Sequence, residues 1–144
     1  MTSAGANAPK DVSSTPLVRK LGIKAGARIA LLGAPEGFET ELVNLPPGVS
    51  IRRRTQGPLD VIVAFARHRT TLERRLPALG RALDPAGGLW IAWHKRSSGV
   101  QSELNDDVVR KLGLAAGLVD NKICSINELW SAMRFVYRLR DRQR

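Results

Sequence analysis

Short apolar runs alternate along this chain with stretches in which apolar residues recur every three or four positions. "KAGARIALLG" (24–33), "GPLDVIVAFA" (57–66) and "LWIAWH" (89–94) are near-continuous apolar runs entered through glycine or proline. Runs of that length and setting predict strands buried on both faces, as in a parallel sheet. "VSIRRR" (49–54), after the break "LPPG", predicts a shorter second strand. "STPLVRKLGI" (14–23) carries a Ser/Thr cap and an early proline, which predicts a helix from Pro16 to about Leu21 that ends at Gly22. Thr70 and Glu73 match a capping box for a helix to about Leu83, with Leu72, Leu76, Leu79 and Leu83 on one face, bent but not ended by Pro77 and closed by "DPAGG". Asn105, Asp106 and Asp107 cap and charge the start of another helix, whose Val108, Val109, Leu112 and Ala116 share a face and which stops at Gly117. "NKICSIN" and "MRFVYRLR" predict two last strands, joined by too few residues for a crossover and hence antiparallel to each other.

Strands alternating with helices, then a final hairpin, give an α/β fold: a single three-layer Rossmann-like domain over 14–140. Residues 1–13 lack periodicity and predict a disordered tail, and 141–144 a basic C-terminal tail. The outline resembles the class I methyltransferase fold trimmed by at least one strand. With that outline the expected order is 2-1-3-4-6-5 in a mostly parallel sheet of about six strands, the antiparallel C-terminal strand inserted between the fourth and fifth.

A length of 144 residues, 43% of them hydrophobic and 25% charged, suits one folded domain and excludes a wholly disordered chain. The net charge of +10 favours acidic partners, an anionic small molecule or nucleic acid. Arginine outnumbers lysine and alanine and glycine are plentiful, so coding bias alone is the competing explanation. The single cysteine, Cys124, excludes an internal disulfide and reads as buried filler within "KICSI". The start of the chain lacks the apolar core of a secretion signal, and no apolar run nears the roughly 18 residues that span a bilayer, so a cytoplasmic protein without membrane association is expected.

In an open parallel sheet, ligands bind outside the carboxyl ends of the strands. Those ends read Gly33-Ala34-Pro35-Glu36-Gly37, Arg52-Arg53-Arg54, Arg67-His68-Arg69 and His94-Lys95-Arg96-Ser97-Ser98. Gly33, Gly37, Arg52, Arg54, Arg67, His68, Arg69, His94, Lys95 and Arg96 are the candidate ligand-binding residues, forming an anion site with guanidinium forks. Charged residues also follow buried strands simply because the chain emerges into water, and that reading stays open. An unperturbed imidazole titrates near neutrality, which makes His68 and His94, both set among cationic neighbours, the candidate acid and base, though no adjacent acid orients either ring. Two histidines are too few for a zinc site, so no metal is expected. Arg138, Arg140, Arg142 and Arg144 recur at period two and would share one face of an extended strand, and Trp90, Trp93 and Trp130 read as core or interface residues.

"STPLVRKLGIKAGARIALLGAPEGFE", "GPLDVIVAFA", "DPAGGLWIAWHKRSSG" and "DDVVRKLGLAAGLVDNKICSINELWSAMRFVYRLRDR" together resemble the bacterial domain-of-unknown-function family 3052, which implies no activity and no catalytic residue. More distantly, residues 31–37 align with the acidic-x-Gly-x-Gly-x-Gly loop of methyltransferases that use S-adenosylmethionine. Leu31 stands where that motif has its acid and Pro35 replaces the central glycine, removing an N–H. The second strand ends in arginines rather than in a carboxylate for ribose hydroxyls. These departures lead to the expectation of a non-catalytic Rossmann-like module that binds an anionic ligand at the strand carboxyl edge. The alternatives are an S-adenosylmethionine-dependent methyltransferase with an altered cofactor loop, and a homo-oligomeric interaction scaffold such as a homodimer.

Overall fold

The structure is a computed structural model, and it describes residues 15–142. The expected N-terminal tail lies outside the described residues. In chain order the elements are α1 (Leu17–Lys20), β1 (Arg28–Leu32), β2 (Ser50–Arg52), β3 (Leu59–Phe65), α2 (Arg69–Ala82), β4 (Leu83–His94), α3 (Asp106–Ala115), β5 (Leu118–Ser125) and β6 (Trp130–Tyr137), with one-turn 3-10 helices at Phe38–Glu41, Arg96–Ser98 and Leu139–Asp141. The six strands form one sheet in the order β2-β1-β3-β4-β6-β5, as expected. β2, β1, β3 and β4 pair in parallel, and β6 runs antiparallel to both β4 and β5. The carboxyl ends of the first four strands therefore share one edge.

Alternation along each strand divides the core between the two faces of the sheet. Ala30, Leu32, Ile62, Ala64, Leu89, Ile91, Met133 and Phe135 face α2 and α3, meeting Leu72, Leu76, Leu79, Val109 and Leu112. Ile29, Leu31, Val61, Val63, Phe65, Trp90, Ala92 and Trp130 face the other way, covered by Val18, Leu21, Phe38 and Leu42. Trp90, Trp93 and Trp130 are all buried. The Trp90 indole donates to the Leu21 carbonyl at 3.0 Å, pinning α1 to the sheet centre.

Several local expectations are corrected. α2 begins at Arg69 with His68 as its N-cap, not at a Thr70 capping box, and the Glu103 carboxylate accepts the Arg69 N–H at 2.8 Å. A distant acid thus satisfies a helix-end donor that the local motif leaves over. "DPAGG" lies inside β4, because the pairing with β3 starts at Leu83 and resumes at Gly88 after a register shift. Leu83 opens that strand rather than closing α2. Asn105 caps α3 as expected, accepting the Val108 N–H at 2.9 Å, but Ala116 lies beyond the helix and is exposed. The arginine run after Arg138 does not stay extended: β6 ends at Tyr137 and the chain turns into a 3-10 helix.

Candidate functional site

The glycine corner after β1 is tight for a steric reason. Gly33 has φ +67°, and a Cβ on it would lie 3.1 Å from the Phe65 carbonyl oxygen, so the corner closes against the end of β3. Gly37, at φ +79°, caps the 3-10 helix Phe38–Glu41, and the Thr40 hydroxyl donates to its carbonyl at 2.7 Å. Arg67, two residues past β3, reaches back across the corner and donates through Nη1 to the Gly33 carbonyl at 2.8 Å.

Beneath that guanidinium lies a row of rings. Phe38 meets Phe65 edge-on at 4.9 Å, Phe65 meets Trp130 edge-on at 4.9 Å, and His94 lies over Trp130 at 3.9 Å with a 31° tilt. The antiparallel register that sets His94 opposite Trp130 makes the last contact. Arg67 stands 5.3 Å above the Trp130 ring, within cation–π range. Burial first, and then the Arg67 charge, hold the His94 imidazole below its ordinary pKa, so the ring is neutral at pH 7. Its Nδ1 is enclosed and has no hydrogen-bond partner.

Past Arg67 opens a groove of about 870 Å³, bounded by the ends of β3 and β4 and the loop that leads to α3. Arg67, His68, His94 and Arg96 line it, with Glu103 and the exposed Ile123 on its other walls. These four and Gly33 are the expected site residues that the fold brings together. The others diverge. Lys95 donates to the Ser125 hydroxyl at 2.6 Å, Arg52 contacts the Gln56 carbonyl at 3.4 Å, and Arg54 is exposed beyond β2. Arg69 contributes its backbone N–H to Glu103. Arg53 forms an ion pair with Glu39, which brings a carboxylate to the corner where β2 supplies none of its own. No group of three or more His, Cys, Asp or Glu among the described residues is placed to hold a metal ion.

Sequence reasoning missed Trp130, Glu39 and Glu103 as members of this edge. Counting the hairpin register back from its turn is the one signal that leads to Trp130, since it sets that residue beside the last residue of β4. The two glutamates arrive by contacts 14 and 34 residues distant in sequence (53 − 39 and 103 − 69), for which the sequence carries no pattern.

No protein-family model matches the chain and no curated protein does, so the resemblance to family 3052 rests on the quoted residues alone. Solved structures do match. The pyocyanin biosynthetic protein PhzM superposes with a TM-score of 0.65 at 10% identity, over 85% of this chain and 53% of that one. Aeropyrum pernix fibrillarin, with natively bound S-adenosylmethionine, gives 0.58 at 15% identity over 88% and 71%. An Aquifex aeolicus S-adenosylmethionine-dependent methyltransferase gives 0.56 at 11% identity over 83% and 86%. The chain spans about half the length of the first structures it matches. The fold is thus the Rossmann-like fold of S-adenosylmethionine-dependent methyltransferases. The lean toward a non-catalytic module is corrected by these neighbours, several of which are methyltransferases by description.

The residues at the carboxyl edge fit S-adenosylmethionine in kind. Its methionyl group is a zwitterion, and here a guanidinium and a backbone carbonyl stand 2.8 Å apart at a left-handed glycine corner. Its ribose diol takes a carboxylate, and Glu39 is held beside the end of β2 by Arg53.

Proposed function

We propose that this protein is an S-adenosylmethionine-dependent methyltransferase whose acceptor binds in the groove beside His94. The observation that carries the reading is the juxtaposition of Arg67 with Gly33 at the point where strand order reverses, in a sheet of methyltransferase topology. Arg67 would hold the cofactor carboxylate, the Gly33 carbonyl the ammonium and Glu39 the ribose hydroxyls. The bound cofactor supplies an electrophilic methyl group.

The chain itself supplies positioning and proton transfer. Arg67 is exposed, and moving its donor from the Gly33 carbonyl to a carboxylate exchanges a neutral acceptor for a charged one. The neutral His94 ring is the base. With Nδ1 enclosed, Nε2 is the nitrogen that takes the proton from an acceptor O–H or N–H as that atom is methylated. A groove of this volume admits an acceptor of small-molecule size or one terminal residue of a larger one.

Calorimetric titration with S-adenosylmethionine tests the reading. Saturable one-to-one binding is expected, displaced by S-adenosylhomocysteine. No heat at millimolar cofactor would remove it.

A further inference from the structure

Arg134 sits in the middle of β6, opposite Trp90 on β4 and Lys122 on β5. It is half-buried, and its guanidinium packs against Gly88: a Cβ on that glycine would come within 2.3 Å of Nε and 2.7 Å of both Cζ and Nη2. Such a site holds the fork in one orientation. Yet among the described residues no carboxylate pairs with it. The charges near it are positive. Lys122 is its direct cross-strand neighbour, an arrangement of like charges that destabilises a sheet. Burial, together with the Arg142 charge, pushes the Arg134 pKa below its ordinary value.

The chain after β6 adds to the same cluster. The turn at Leu139–Asp141 folds Arg142 back, so that its Nε donates to the Tyr137 carbonyl at 3.0 Å. Arg138 has an enclosed Nε with no partner, and alternation along the strand puts it on the same side as Arg134. Asp120 and Asp141, the acids beside Lys122 and Arg142 in sequence, are committed elsewhere, Asp120 to Arg110 at 3.1 Å and Asp141 to Arg140 at 3.9 Å. A half-buried cation without a counter-charge is costly unless an anion completes it.

We infer that Arg134, Arg142 and Lys122 form a second ligand site, for a phosphoryl group, on the sheet face that α1 covers only in part. Arg134 takes two phosphoryl oxygens with its fork while Arg142 and Lys122 neutralise the remaining charge. The site is separate from the carboxyl edge: Arg134 lies four residues along β6 from Trp130, about 13 Å at strand rise. It therefore stands or falls independently of the proposed methyl transfer.

The probe is inorganic pyrophosphate, titrated calorimetrically into the full chain at low salt. Binding is expected, weakened about tenfold or more in Arg134→Gln, less in Arg134→Lys, and also weakened in the exposed-site variant Arg142→Gln, as loss of a charge-assisted hydrogen bond requires. Arg142→Gln carries the test if Arg134→Gln does not fold. Competition by a short single-stranded RNA assigns the phosphoryl group to a nucleic-acid backbone, and its absence assigns it to a small phosphorylated ligand. Failure of pyrophosphate to bind, or binding that Arg67→Gln abolishes while Arg134→Gln and Arg142→Gln leave it unchanged, overturns the inference.

Discussion

Arg67 and Gly33, 34 residues apart in sequence, are joined by a 2.8 Å hydrogen bond across the gap between the ends of β1 and β3. Removing the guanidinium frees the Gly33 carbonyl but takes away the cation that meets the cofactor carboxylate. Arg67→Ala is therefore expected to weaken S-adenosylmethionine binding roughly tenfold, in line with a hydrogen bond to a charged group at a partly exposed site. Calorimetry reads the affinity, and an unchanged affinity would take Arg67 out of the cofactor site.

His94 gives a pH dependence with a definite sign. Burial and Arg67 lower its pKa beneath the ordinary 6.5, so the neutral ring needed to accept a proton persists to lower pH than in a free histidine. Methyl transfer should rise with pH through a midpoint below 6.5 and be flat at neutrality. In Arg67→Ala the midpoint should move up, and in His94→Gln the limb should vanish with most of the activity. A midpoint above 6.5 in the wild type contradicts the assignment.

Gly33→Ala tests the corner itself. The left-handed φ and the 3.1 Å approach to the Phe65 carbonyl act together, and a cost of about 1–3 kcal/mol is expected from backbone strain of this kind. Urea unfolding measures it, and a variant as stable as the wild type would show that the corner relaxes freely.

Gly113 makes a counterintuitive case. Alanine at a helix interior normally gains about 1 kcal/mol over glycine. A Cβ here, however, would stand 2.0 Å from Cε2 of the buried Phe135, where α3 crosses β6. Overpacking of about 1–3 kcal/mol should outweigh the propensity gain, making Gly113→Ala destabilising in thermal unfolding, with Gly113→Val worse.

At the opposite edge of the sheet, Asp60 takes three hydrogen bonds from Arg28, from the backbone N–H at 2.7 Å, Nε at 3.0 Å and Nη2 at 2.9 Å. The Arg28 side-chain bond, foremost, holds the Asp60 carboxyl below its ordinary 3.8. A carboxylate lowered on folding stabilises above its unfolded value and loses that contribution as pH falls through the folded one. Asp60→Asn should thus lower stability at pH 7 and flatten the acid limb of the stability curve below pH 4, read by urea midpoints across pH.

The strands and the antiparallel ending were legible because apolar runs such as "DVIVAFA" only suit strands covered on both faces, and because the final hairpin is too tightly connected to be parallel; their order came from the resemblance to the class I methyltransferase outline. The start of β4 was not. Leu83 continues the helical leucine spacing of α2, and only its pairing with Leu59 assigns it to the sheet. At the site, the positions of Gly33, Arg67 and His94 followed from the rule for strand ends, while Lys95, one residue after His94, turned to Ser125. Direction at a strand end depends on which neighbour offers a partner, and that neighbour came from β5. Arg134 had no visible signal either: within "SAMRFVY" it looks like any polar residue of an alternating strand, and its missing counter-charge exists only in three dimensions.

The two borders of the sheet differ in length but share a consequence. β2 offers only three residues and leads straight into Arg53 and Arg54, whereas β5 is eight residues long but slips register between Asp120 and Lys122. A foreign strand seeking to extend the ladder finds too little backbone on one side and a broken repeat on the other. Each border strand thus carries its own stop against further growth of the ladder.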